Sequence, residues 1–128
     1  MNVVAAPFSM GTRGSSGTNV RTTAPAALVT VAVTVTGPYG EPVPATVLVA
    51  DGTAYVESAQ ACGVHLTGGK LGEFGTTVGV GQLLLEAVNA GATRVVVGLG
   101  GSGTIDGGAG LLAALGADAD VSLDVGGI

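Results

Sequence analysis

The stretch Gly98-Leu99-Gly100-Gly101-Ser102-Gly103-Thr104-Ile105-Asp106-Gly107-Gly108-Ala109-Gly110 constrains this chain more than any other. A β-branched run, Arg94-Val95-Val96-Val97, leads into it, and the apolar pattern Leu111-Leu112-Ala113-Ala114-Leu115 follows it. That order predicts a strand, a glycine-rich loop and a helix over Gly107 to Leu115, stopped by Gly116. Glycine lacks a Cβ, so such a loop can bring its backbone close to another group. Its N–H groups and the positive end of the helix suit an anion. Ser102, Thr104 and Asp106 are the only polar side chains in the stretch. Composition leaves two readings open. One is a phosphate or carboxylate site with Asp106 beside it; the other is a tight strand-to-helix connection packed through glycine. Asp106 is likewise open between a helix N-cap, a base for a substrate hydroxyl and a ligand for Mg²⁺.

Two nucleotide motifs fit poorly. No Gly-Lys-Ser/Thr follows the loop, so it is not a Walker A sequence. The spacing Gly98-x-Gly100-x-x-Gly103 matches a dinucleotide fingerprint, but no acidic residue ends a following strand in register.

The rest of the chain frames this loop. Val3 to Ala6 reads as a buried first strand ended by Pro7. Residues 8–25 are rich in Gly, Ser and Thr without a period, and read as a linker. This places a strand and linker at 1–26 and an α/β domain at 27–128. Ala27 to Thr36 puts valines at odd positions, a half-buried strand. Gly37 to Pro42 is a turn, Val43 to Val49 a second strand, and Asp51-Gly52 a hairpin signal before Thr53 to Glu57. These three strands form a β-meander. Ser58 to Cys62 reads as a short helical piece. Cys62 reads as a small buried hydrophobe, His65 as structural or exposed, and Thr67 to Gly75 as a loop. A helix opens at Thr76-Thr77, one threonine serving as N-cap. Its apolar face holds Val80, Leu83, Leu84, Ala87 and Val88, and Gly91 takes the C-cap role. Val121 to Val125 has strand character. Alternation of strands and helices in the second half predicts a mainly parallel α/β sheet with flanking helices, added to the meander.

Composition excludes several classes of function. Nine acidic residues against four basic ones give a net charge of −5, and aromatic residues make up 3%. A chain without a basic patch or stacking aromatics is a poor nucleic-acid ligand. No apolar run reaches the length of a membrane span, and the first residues lack the pattern of a signal peptide. One cysteine cannot form an internal disulfide, which fits a reducing cytoplasm. A single cysteine and a single histidine disfavour structural zinc.

Four stretches taken together resemble the bacterial glycerate kinase family. They are Val35-Thr36-Gly37-Pro38-Tyr39-Gly40-Glu41-Pro42-Val43, Glu57 to Leu66, Thr76-Thr77-Val78-Gly79-Val80-Gly81-Gln82-Leu83-Leu84, and Val97 to Gly116. They occur in the family's order over about residues 28–118. The resemblance implies ATP-dependent phosphorylation of D-glycerate, commonly to 2-phosphoglycerate, with Mg²⁺, in a cleft between two domains. Carried over by position, Gly100, Gly101, Ser102, Thr104, Asp106, Gly107 and Gly108 line that cleft. Their backbone amides hold the anion, and Asp106 acts near the reacting hydroxyl or the metal. Arg13-Gly14-Ser15 stands for the family's Lys-Gly-Ser after a two-residue shift, making Arg13 a phosphate contact. The chain departs from the pattern at Ile105, where the family has Asn, and at Phe8, where it has an acid. Segments of the family's first helix, next strand and second domain have no counterpart here. The resemblance thus implies an incomplete version of the two-domain fold, with self-association through the surface the absent domain would cover. It leaves, beside catalysis, a non-catalytic anion-binding module or an inactive remnant.

Overall fold

A computed structural model describes residues 2–6, 28–69, 74–116 and 122–124, the first and last of these segments by their backbone alone. The elements in chain order are β1 (Asn2–Ala6), β2 (Leu28–Thr36), β3 (Pro42–Ala50), β4 (Thr53–Glu57), α1 (Ala59–Cys62), α2 (Val64–Thr67), α3 (Val78–Asn89), β5 (Arg94–Gly98), α4 (Ala109–Leu115) and β6 (Ser122–Asp124). The strands form one sheet in the order β2-β3-β4-β5-β1-β6. The β2–β3 and β3–β4 pairs are antiparallel. The β4–β5, β5–β1 and β1–β6 pairs are parallel. The architecture is therefore mixed α/β, with the antiparallel pairs confined to the β2–β3–β4 meander and the remaining pairs parallel; to that extent the expected combination of meander and parallel strands holds. The physical reason is local: Asp51 (φ 53°) and Gly52 (φ 76°) both take positive φ, as a two-residue hairpin requires. That turn folds β4 back on β3 before the parallel half begins.

One face of the sheet carries the core. Along β3, Val43, Ala45, Val47 and Val49 are buried in strict alternation. Ala54 and Val56 of β4 and Val95 and Val97 of β5 continue that layer. Leu83, Leu84, Val80 and Ala87 of α3 pack onto it, with Ala61 and Cys62 of α1. The odd-numbered valines of β2 follow the same face, but burial rises along the strand. Val29 is exposed, Val31 and Val33 are partly buried, and Val35 is buried. Val88 was expected on the core face of α3 and is instead 41% exposed. It stands one position beyond the helix's buried stripe, which ends at Ala87.

The ends of α3 show how the chain is punctuated. At its C-terminus, Ala92 N–H donates to Ala87 C=O (3.1 Å) and Gly91 N–H to Val88 C=O (2.9 Å). With Gly91 at φ 97° this is a Schellman motif. At its N-terminus Thr77 occupies the cap position, yet its hydroxyl makes no capping bond. The threonine expected to cap by side chain has that oxygen engaged elsewhere, as described below. Smaller differences concern boundaries: His65 and Thr67 lie in α2, and α4 begins at Ala109 rather than Gly107. Among the described residues no helix is long and apolar enough to cross a membrane.

Helices α3 and α4 touch through small residues. A Cβ built at Gly81 meets the Leu111 carbonyl oxygen at 2.6 Å and the Ala114 Cβ at 2.7 Å. Glycine here permits an approach that any larger residue blocks. Gly81→Ala gains about 1 kcal/mol of helix propensity but overpacks the contact, which costs about 1–3 kcal/mol. The clash with backbone decides the sign. We expect the urea unfolding midpoint of Gly81→Ala to fall; an unchanged or raised midpoint would show that α4 shifts freely.

Candidate functional site

The glycine-rich loop leaves β5 at Gly98 and is clamped on two sides. On the first side it meets α1 and α2. Ser58 N–H donates to Gly98 C=O (2.9 Å), Val64 N–H to Gly101 C=O (2.9 Å), and Gly103 N–H to Cys62 C=O (2.7 Å). The last two bonds make an isolated antiparallel bridge between Gly63 and Ser102. A Cβ on Gly103 would run into Val64 and Thr67, so this side needs glycine for packing.

On the second side the loop is tied to α3 by Asp106. Its Oδ2 accepts from Thr77 N–H (2.9 Å), Thr77 Oγ1 (2.9 Å) and Gly110 N–H (3.1 Å). Its Oδ1 accepts from Gly108 N–H (3.0 Å) and lies 3.1 Å from Thr77 Oγ1. The Thr77 hydroxyl in turn accepts from Leu111 N–H (2.9 Å). One carboxylate thus serves the starts of two helices, with Thr77 completing the link. Gly107 and Gly108 adopt φ 66° and 81° to bring the Gly108 amide round to the acid, and a Cβ on Gly110 would strike Thr76 and the Thr77 amide. Thr77 is itself placed by the turn after β2, where the Pro38 carbonyl accepts from Thr76 N–H (2.8 Å).

These contacts answer the question composition left open. The amides of Gly108 and Gly110 do hold an anion, and that anion is the chain's own Asp106. The N-cap position of α4 belongs to Gly108, not Asp106, although the acid performs the capping. Half-burial raises the Asp106 pKa, but the hydrogen bonds from Thr77 N–H, the Thr77 hydroxyl, Gly110 N–H and Gly108 N–H outweigh it and hold the carboxyl below its ordinary 3.8.

Asp106 also borders a pocket of about 340 Å³ between the loop and helices α1, α3 and α4. Ser102, Thr104, Gly107 and Gly108 line it as well. Gly100 and Gly101, predicted for the same site, lie in an exposed turn and do not line it. Arg13 lies outside the described residues. Six lining residues were not singled out for a site from sequence: the polar Ser58, Cys62 and Thr77, and the apolar Val80, Leu99 and Leu111. Cys62 is buried as expected, but its thiol donates to Ser58 C=O (3.4 Å) and sits 3.8 Å from Ser102 Oγ, which is 3.3 Å from Thr104 Oγ1. The paired threonines before α3 were the one available signal for Thr77. Nothing in the sequence marked Ser58. His65 is exposed on α2 and Ile105 is 59% exposed at the loop surface.

The lowered pKa sets a pH dependence. Asp106 contributes stability that is full above the unfolded value near 3.8 and is lost as pH falls through the lower folded value. Asp106→Asn keeps the size but turns an NH₂ donor toward backbone N–H groups, costing about 1–2 kcal/mol at neutral pH. We expect its thermal midpoint to lie below wild type at pH 7 and to converge on it at acid pH. Parallel curves would contradict this role.

Similarity to known proteins identifies the family. A family model described as the glycerate kinase family matches residues 1–124. Glycerate 2-kinase of Escherichia coli K12 is 46% identical over 87 residues, covering 65% of this chain and 23% of that protein. Glycerate kinase of Bacillus subtilis 168 is 49% identical over 86 residues, covering 64% and 22%. A solved structure assigned as glycerate kinase 2 from Salmonella typhimurium LT2 aligns with a TM-score of 0.65 and 36% identity, covering 70% of this chain and 25% of that one. The chain therefore spans about a quarter or less of each of these relatives. The motifs that clamp the loop, the fold that carries it and the matched length agree: the chain belongs to the glycerate kinase family.

Proposed function

We propose that this chain forms one wall of a site that phosphorylates D-glycerate, with Mg²⁺-ATP as the phosphoryl donor. The single observation that carries this reading is the rigid loop. Ser102, Thr104, Gly107 and Gly108 border one pocket, on a loop held by the Gly63–Ser102 bridge on one side and by the Asp106 bonds to both helix starts on the other. Phosphoryl transfer depends on positioned groups rather than on covalent chemistry by the protein. A loop clamped on two sides supplies such positioning for a short hydroxy acid. It also fits the two-domain architecture that the resemblance implies, in which a further domain provides the opposite wall. Arg13 fits this reading as a cation for the transferred phosphate.

In this reading Asp106 acts on the loop rather than on the reacting atoms. A carboxylate offers about four acceptor positions. Here three backbone N–H groups and one hydroxyl already use them. An acid in that state is a poor base and a poor ligand for a cation. Among the described residues no cluster of three His, Cys, Asp or Glu could hold a metal either. In this reading the ion enters with the nucleotide, held chiefly by its phosphates. The second reading, a non-catalytic binding module, shares the pocket and differs only in turnover.

D-Glycerate at saturating concentration should raise the thermal midpoint of the 128-residue chain, with or without nucleotide. Release of ADP that requires D-glycerate and Mg²⁺ would establish the kinase reading. A raised midpoint without ADP release would select the binding module, and no shift with D-glycerate, phosphate or ATP would contradict both.

A further inference from the structure

Strand β2 forms one edge of the sheet, and among the described residues it pairs with β3 alone. The register shows which of its backbone groups point outward. In an antiparallel ladder, facing residues alternate between pairs that exchange both N–H···O bonds and pairs that exchange none. Thr34 faces Pro44 and Thr36 faces Pro42, and proline has no N–H to give. Ala32 faces Thr46, whose N–H and C=O are both bonded to the Gln60 side chain (2.8 and 3.1 Å). The bonded pairs with β3 are therefore those of the odd-numbered valines. Thr30, Ala32 and Thr34 turn their N–H and C=O groups to the open side. Beyond them, Thr36 N–H is taken by Gln82 Oε1 (2.6 Å), which closes that end of the edge.

The sheet treats its open edges differently. Strand β3 runs past the part of β4 that it pairs with, and there its outward side is blocked by Pro42 and Pro44 and by Gln60 at Thr46. Proline and covered backbone groups are ordinary means of keeping an edge from recruiting another strand. Over its nine residues β2 carries neither proline nor charge, and it consists almost wholly of Val and Thr, which favour strands. Val29 is 49% exposed, and Val31 and Val33 are covered only in part. An edge in this state is a template for a further strand.

The strand that fits is β2 itself. Outward from Ala32 the order is Val, Thr, Val in both directions, Val33-Thr34-Val35 on one side and Val31-Thr30-Val29 on the other. We infer that β2 pairs antiparallel with β2 of a second copy of this chain, across a twofold axis at Ala32, joining two sheets into one. Ala32 then faces Ala32, and Thr30 faces Thr34. These are the residues whose backbone groups point outward, so each pair exchanges both of its N–H···O bonds. Val31 faces Val33 and Val29 faces Val35 at the non-bonded positions, where side chains meet most closely. A twofold at Val31 or Val33 instead sets threonine against alanine and gives up the threonine pair. One strand against another is a small contact for a specific interface, so the dimer is a reversible one.

Sedimentation velocity over a concentration series of the full chain tests this, with Ala32→Lys and Ala32→Glu as variants. Ala32 is exposed in the single chain, so neither change should move the thermal midpoint at the dilute end of the series. In the dimer each sets two like charges face to face at the axis and should weaken association at least about tenfold. Mixed in equal amounts, the two variants should dimerise as wild type does, since opposite charges then face each other. Hydrogen exchange of the unaltered chain gives a second reading. The Thr30, Ala32 and Thr34 amides should exchange more slowly as concentration rises, whereas those of Val31 and Val33, held by β3, should not change. Wild type that stays monomeric throughout the series overturns the inference. So does a dimer that both variants retain, a dimer that mixing them fails to restore, or open-ended fibres in place of a dimer. Protection of the three amides at every concentration overturns it as well, because another part of the same chain would then cover the edge.

Discussion

The Asp106 carboxylate is the interaction on which the rest of this structure depends. Helices begin with amide groups that have no partner within the helix, and here α3 and α4 begin side by side. One acid satisfies the Gly108 and Gly110 amides of α4 and the Thr77 amide at the head of α3. Charge-assisted bonds of this kind are about twice as strong as neutral ones. They also join elements distant in sequence, since Asp106 and Thr77 are 29 residues apart. The small residues follow from this link. Gly110 must be glycine to let the amides reach the acid, and Gly81 must be glycine to let the helices close behind it.

An internal anion changes what the loop can offer a ligand. The helix start is no longer open to an external phosphate, because the loop's own acid is there. What remains for a ligand is the pocket-facing edge, where Ser102 and Thr104 stand against an apolar lining. The acid is then a device for rigidity. It holds this edge in register with α1 and α3, so a ligand need not order the loop on binding.

Much of this was legible in the sequence, for identifiable reasons. The β2–β3–β4 meander followed from valine alternation and from Asp51-Gly52, both local signals. The strand–loop–helix order around Gly98 and the C-terminal glycine of α3 were equally local. The resemblance of four motifs to one family named the family that the match over residues 1–124 shows. What escaped was set by contacts across the chain. The order of strands, with β5 between β4 and β1, depends on pairings across the whole chain. The Thr77 hydroxyl reads as a cap until Asp106 is brought against it. Val88 fits the apolar period of α3 yet falls outside the area that the sheet covers.

The most direct measurement is a pH titration of the Asp106 side-chain carboxyl by carbon-detected NMR, read with the amide shifts of Thr77, Gly108 and Gly110. The account predicts a midpoint below 3.8, with all three amides moving at that same midpoint as their shared acceptor is protonated. A carboxyl that titrates at or above 3.8, with the amides unmoved, would contradict it.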